Sequence, residues 1–138
     1  MKRLWLARVR NFTAEPANRA GADQQALSCD SLGSAVTRYG YEGTIRAKPG
    51  RGTELLKALL RAAELARLAP GNELYVVGTA SDGPDVIRVF EVWKTKEAHD
   101  QSLTEPAVRA LIGEVVPLLL GQPTGTAWLP KGGNGLSP

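Results

Sequence analysis

From Tyr39 to Lys48 apolar and polar residues alternate, and the alternation stops at Pro49-Gly50, which predicts a strand closed by a turn. The period then changes. Leu56, Leu59, Leu60 and Ala63 recur at the three-and-four spacing of a buried helical stripe, with Lys57, Arg61, Glu64 and Arg67 on the other side, so a helix is expected from Glu54 to Leu68 with Thr53 as its cap. Ala69-Pro-Gly-Asn72 ends it, and strand character returns from Glu73 to Ala80. Ser81-Asp-Gly-Pro84 is turn chemistry between two strand patterns, which makes an antiparallel hairpin with Val86 to Trp93. Thr95 is placed to cap a short helix through Asp100. Thr104, Glu105 and Pro106 mark another helix start, Val108, Leu111, Ile112, Val115 and Val116 form its apolar face, and Pro117 ends or kinks it. Gln122 to Leu129 supplies a fourth strand.

This order, βαββαβ, predicts an α+β chain of the ferredoxin-like plan: a four-stranded antiparallel sheet with both main helices on one face. The other face is left bare. An exposed apolar sheet must be hidden, and two copies stacking sheet on sheet would hide it, so a homodimer closing a barrel-like body is expected. Because side chains alternate along a strand, Val89, Glu91 and Trp93 share one face, while Arg88, Phe90 and Val92 share the other.

With 138 residues, 43% of them hydrophobic and 22% charged, the chain has room for one ordinary globular domain. The boundaries expected are an extension over residues 1–38, flexible or packed over the domain, a core over 39–129 and a tail over 130–138. Residues 2–12 carry a weak strand pattern. The net charge of +3 lies entirely in the first 38 residues, which hold six Lys or Arg against three acids; the rest carries eleven of each sign. A balanced domain gives no clustered cations for phosphates, so nucleic acid is not an expected partner. Cys29 stands alone, which excludes an internal disulfide. No apolar run approaches the length of a membrane span, and Arg8 and Arg10 break the segment a secretory signal needs, so a cytoplasmic location is the default.

Candidate chemistry gathers around Trp93, and neither a metal-ligand cluster nor a nucleophile motif competes with it. Each candidate also has a plain structural reading. Trp93 would serve as packing between sheet and helix. His99, alone in a polar helix, would be solvated. Glu91 is either a base or the partner of a nearby arginine, and the ion pair is the favoured reading. Tyr41 and Tyr75 would pack in the core rather than form walls of a pocket, and the functional reading of Ser102 is as a hydrogen-bond donor.

The segments Thr44-Ile-Arg-Ala-Lys-Pro-Gly-Arg-Gly-Thr-Glu-Leu-Leu56, Ala69-Pro-Gly-Asn-Glu-Leu-Tyr75, Phe90-Glu-Val-Trp-Lys-Thr-Lys-Glu-Ala98 and Thr104-Glu-Pro-Ala-Val108 together resemble the antibiotic biosynthesis monooxygenase family. The resemblance spans residues 39–129. It implies a dimeric α/β barrel with a pocket between sheet and helices, and oxygenation of electron-rich phenols, quinols or anthrone-like polyketides by O2 without metal, flavin or other cofactor. Resemblance and residue reading together give Trp93, His99 and Ser102 as the expected catalytic positions and Tyr41, Gly43, Tyr75, Val89, Glu91 and Ile112 as the expected substrate-binding positions. The departures are specific. Ser102 stands where many members carry a histidine, Val89 where the polyketide-oxygenase branch has an asparagine, and Gly43 and Ile112 where the heme-degrading branch has asparagine and histidine. Heme degradation is therefore not expected. Two functions remain: a cofactor-independent monooxygenase of an aromatic substrate, and a non-oxygenase pocket protein that binds, cyclises or isomerises a hydrophobic metabolite.

Overall fold

The computed structural model describes residues 37–137. The expected strand at 2–12, Cys29 and all but the last two residues of the extension lie outside the described residues. The elements are β1 (Tyr39–Arg46), α1 (Gly52–Leu68), β2 (Asn72–Ala80), β3 (Gly83–Trp93), α2 (Lys96–Ser102), α3 (Pro106–Val115) running into one 3-10 turn (Val116–Leu118), and β4 (Thr124–Trp128). The strands form a single antiparallel sheet in the order β2-β3-β1-β4, with the helices on one face, which is the ferredoxin-like α+β plan.

Several boundaries differ from the sequence pattern, β3 for instance starting at Gly83 and β4 at Thr124, and three are set by visible contacts. Helix α1 starts at Gly52, so Thr53 lies inside the helix, and the N-cap residue Arg51 caps no backbone amide with its side chain, which donates instead to Glu54 Oε2 at 2.7 Å. The first amide of the helix is satisfied from across the fold: Asp85, at the start of β3, accepts the N–H of Gly52 at 2.8 Å and, in the turn before the helix, that of Gly50 at 3.0 Å. Gly52 must be a glycine, because a Cβ there would lie 2.1 Å from the Pro84 carbonyl oxygen. Helix α3 begins after Glu105 without a side-chain cap, while the Thr104 hydroxyl bonds back to the Gln101 carbonyl. Strand β1 stops at Arg46, after which Ala47 makes an isolated bridge with Leu119 and donates its N–H to the Asp85 carbonyl at 2.7 Å. The Thr95 cap is as expected, accepting from the Ala98 N–H at 3.1 Å.

The main core joins Leu55 and Leu59 of α1, Ile87 and Val89 of β3, and Leu111 and Val115 of α3. The buried stripe of α1 is thus turned by about one residue from the expected one, and Leu60 is exposed. A second cluster at the far end of the sheet joins Tyr39, Ala66 and Trp93. Arg38 is tied to this domain: its Nε donates to Glu73 Oε2 at 2.6 Å and its Nη2 to the carbonyl of Ser137, bringing chain entry and tail together.

Candidate functional site

Between the inner face of the sheet and the helices lies a partly open cavity of about 120 Å³. Strand alternation puts Tyr41 and Gly43 of β1, Tyr75 of β2 and Val89, Glu91 and Trp93 of β3 on that face. Pairing then sets Glu91 directly between Tyr41 on one side and Tyr75 on the other. Helix α2 adds His99 and Ser102, and α3 adds Ile112, so all nine residues singled out in the sequence line one cavity. The rest of the wall is apolar, including Ile45, Leu59, Ala62, Leu111, Val115 and Pro123. Leu59, Leu111 and Val115 carried a signal in the expected apolar stripes of the two helices; Ala62, and Pro123 in the loop before β4, carried none.

Tyr41 owes its place to two glycines. Its ring lies along β1 and β4, so that a Cβ on Gly125 would sit 2.1 Å from the Tyr41 hydroxyl oxygen and one on Gly43 would sit 3.1 Å from the ring. Any side chain at Gly125 would push the ring into the cavity. Gly43 therefore shapes the wall by having no side chain.

The polar groups collect at the Trp93 end. The Trp93 indole N–H donates to Glu91 Oε2 at 2.9 Å, and His99 Nε2 lies 3.9 Å from the same oxygen. His99 is 3% exposed, with Tyr39 at 4.9 Å, Trp93 edge-on at 5.8 Å and Tyr41 at 6.3 Å between ring centres. The expectation of a solvated histidine is overturned, because this turn of α2 faces the sheet. His99 Nδ1 contacts Asp100 Oδ1 at 3.0 Å, and Asp100 Oδ2 accepts from Lys96 Nζ at 2.6 Å. Ser102 lines the cavity, but its hydroxyl donates to the His99 carbonyl at 2.6 Å, which engages its proton within α2.

The expected ion pair between Glu91 and an arginine is also overturned. Arg88, the nearest candidate, has the opposite parity on β3 and pairs with Glu42 on the outer face. Glu91 is left as a carboxylate in an apolar cavity, 12% exposed, with a single hydrogen bond from the described residues. Burial raises its pKa, and the nearby His99 and the Trp93 hydrogen bond offset this only in part. Burial, followed by the nearby Glu91, likewise raises the phenols of Tyr41 and Tyr75, so both tyrosines are neutral walls. Tyr39 is pushed up to about 12 by burial, then by Asp100 and Glu91. For Asp100, partial burial would raise the pKa, but the bonds from Lys96 and His99 overcome it and hold the carboxyl below its usual range.

Among the described residues no group of three His, Cys, Asp or Glu side chains converges to hold a metal ion, and no helix is long and apolar enough to cross a membrane. Chemically, the arrangement offers a proton acceptor of raised basicity at one end of an apolar slot. That combination suits a neutral, mostly apolar ligand with one acidic hydroxyl.

The antibiotic biosynthesis monooxygenase model matches residues 39–114. No curated protein matches the chain. Among solved structures, a protein of Chloroflexus aurantiacus J-10-fl assigned to the antibiotic biosynthesis monooxygenases is 35% identical over 73% of this chain and 100% of its own, with a TM-score of 0.67. A Nitrosomonas europaea protein of the same assignment is 15% identical over 72% of this chain and 96% of its own, at a TM-score of 0.66. SnoaB, a cofactor-independent oxygenase from Streptomyces nogalater, is 13% identical over 71% of this chain and 97% of its own, at 0.62. The last two speak for the fold alone. The family model covers more than half of the sequence and the Chloroflexus structure is matched end to end, so this chain belongs to the antibiotic biosynthesis monooxygenase family.

Proposed function

We propose that this protein is a cofactor-independent monooxygenase that oxidises an electron-rich aromatic hydroxy compound, a phenol, quinol or polyketide anthrone, with O2. The observation that carries the reading is the buried Glu91 carboxylate, raised in pKa and facing an otherwise apolar cavity beside Trp93 and His99. Such chemistry needs a base before anything else. Glu91 takes the hydroxyl proton, and the resulting anion is electron-rich enough to pass one electron to O2. Recombination of the substrate radical with superoxide at the ring carbon gives a peroxide anion, which takes up one proton to become a hydroperoxide. Loss of the C–H proton with cleavage of the O–O bond leaves a carbonyl, so one oxygen enters the product and the other leaves as water.

Trp93 holds the Glu91 carboxylate in place and His99 lies beside it. Tyr41 and Tyr75 flank it as aromatic walls, and Val89, Gly43 and Ile112 bound the apolar end. In size, about 120 Å³ is of the order of the roughly 150 Å³ apolar cavity known to admit benzene. One ring fills it, and further rings of a larger substrate would extend through its open side. We also propose a homodimer formed through the outer sheet face, which leaves the cavities, on the opposite face, open.

Metal-stripped protein incubated with phenols, hydroquinones and anthrones is expected to accelerate O2 consumption. Glu91→Gln should lower the rate by about 10²-fold or more, the usual size of a lost general base, with smaller losses in Trp93→Phe and His99→Ala. Uptake no faster than buffer across the panel would reject oxygenation and leave a pocket that binds or isomerises a hydrophobic metabolite.

A further inference from the structure

We infer that Asp100 is a positioning residue that makes His99 the acceptor of a proton relay behind Glu91, leading from the cavity to the surface. The inference rests on the oxygenase reading for its purpose and on side-chain geometry for its form. A carboxylate only accepts hydrogen bonds, so the 3.0 Å contact between Asp100 Oδ1 and His99 Nδ1 places the ring proton on Nδ1. In the neutral ring Nε2 is then a bare acceptor, turned toward Glu91 Oε2 at 3.9 Å. The opposite tautomer would aim an N–H at Glu91, favour its charged form and weaken it as a base.

Lys96 fixes the arrangement from outside. It lies one turn before Asp100 on α2 and binds the second carboxylate oxygen at 2.6 Å, which holds both the angle and the charge of Asp100. Exposure grades along the chain of contacts: the side chain of His99 is 4% exposed, Asp100 34% and Lys96 38%. The line therefore runs from a closed interior to water. The other groups around His99 are Tyr39 and Tyr41 from β1 and Glu91 and Trp93 from β3. Both tyrosines have raised pKa values and stay neutral, so Glu91, Asp100 and Lys96 supply the charges that bias the ring.

The relay moves a proton and no electrons. The substrate O–H breaks as an O–H forms on Glu91; Glu91 hands that proton to Nε2, and the Nδ1 proton leaves past Asp100 to solvent. When the peroxide anion forms, a proton returns by the same route and ends in water. The 3.9 Å gap exceeds a hydrogen bond, and a shift of about 1 Å or one bridging water closes it.

His99 is the only histidine in the chain, so selective nitrogen labelling of the full-length protein reads its tautomer without assignment. The wild type is expected to carry the proton on Nδ1 with a bare, pyridine-like Nε2. In Asp100→Ala the proton should move to Nε2, whereas Lys96→Ala should keep it on Nδ1. In turnover, Asp100→Ala should lose about tenfold or more in kcat with KM little changed, and higher concentrations of a small buffer base should restore part of it. A wild-type proton on Nε2, or a tautomer unmoved by Asp100→Ala, overturns the inference. Absence of turnover in the wild type would reject the oxygenase reading, and the tautomer measurement would still judge Asp100.

Discussion

At the scale of single residues the site is defined by one unfavourable choice, a carboxylate in a greasy cavity. Burial raises the Glu91 pKa, so over the range between the ordinary carboxylate value and the raised one, folded protein keeps a proton that unfolded chain has lost. The folded state binds more protons there, and stability falls as pH rises through that range. Glu91→Gln has no such proton to lose. Its melting temperature should rise relative to wild type as pH climbs from acid to neutral and then hold a constant lead, a gain of about 0.5–2 kcal/mol of the kind seen when a functional group is removed for stability. Paired thermal melts against pH check this, and parallel curves would reject it. The face of Glu91 was legible, because alternation alone puts it with Trp93. Its partner was not legible, although the same alternation sends Arg88 to the other side.

Elements were easier to read than their ends. The helix after Pro49-Gly50 announces itself by period, yet its start is fixed by Asp85, which lies more than thirty residues away and caps the amides of Gly50 and Gly52. Asp85→Ala should cost about 0.5–2 kcal/mol, the range for a lost cap. Gly52→Ala should cost more, because its methyl would run into the Pro84 carbonyl, and that is backbone. Urea melts of the two variants would rank them, and the reverse order would reject this account. Two other misreadings have equally physical sources. The doublets Leu55-Leu56 and Leu59-Leu60 fit either of two stripes about one residue apart, and only the sheet decides that Leu55 goes in and Leu60 out. Helix α2 is too short and too polar to show a buried side, so nothing in its sequence separates an inward His99 from a solvated one.

For the molecule as a whole, the β2–β3 hairpin and the two sheet faces follow from turn chemistry and alternation, the ferredoxin-like plan follows from the βαββαβ order of elements, and the family resemblance placed the cavity on the helical face. The other face is where the proposed second copy would sit. Leu74 and Val76 of β2, Phe90 of β3 and Trp128 of β4 remain 37%, 48%, 37% and 42% exposed, and Val76 pairs directly with Phe90 across the strands. Water against so much apolar surface is unfavourable, by about 25 cal/mol for each Å². Beside this patch stands the Arg88–Glu42 ion pair, with Arg88 Nε buried and lacking any partner among the described residues. A second copy stacked on this face would cover the patch and bring fresh acceptors near that nitrogen. Phe90→Lys puts a charge in the middle of the proposed contact without touching the cavity, since residues 90 and 91 face opposite ways. Light scattering should find a dimer in the wild type and a monomer in the variant, and the wild-type melting temperature should rise with protein concentration while that of the variant does not. A wild type that stays monomeric at every concentration would show that the sheet face meets water, and would leave its exposed Phe90 and Trp128 to be explained by something other than a twin.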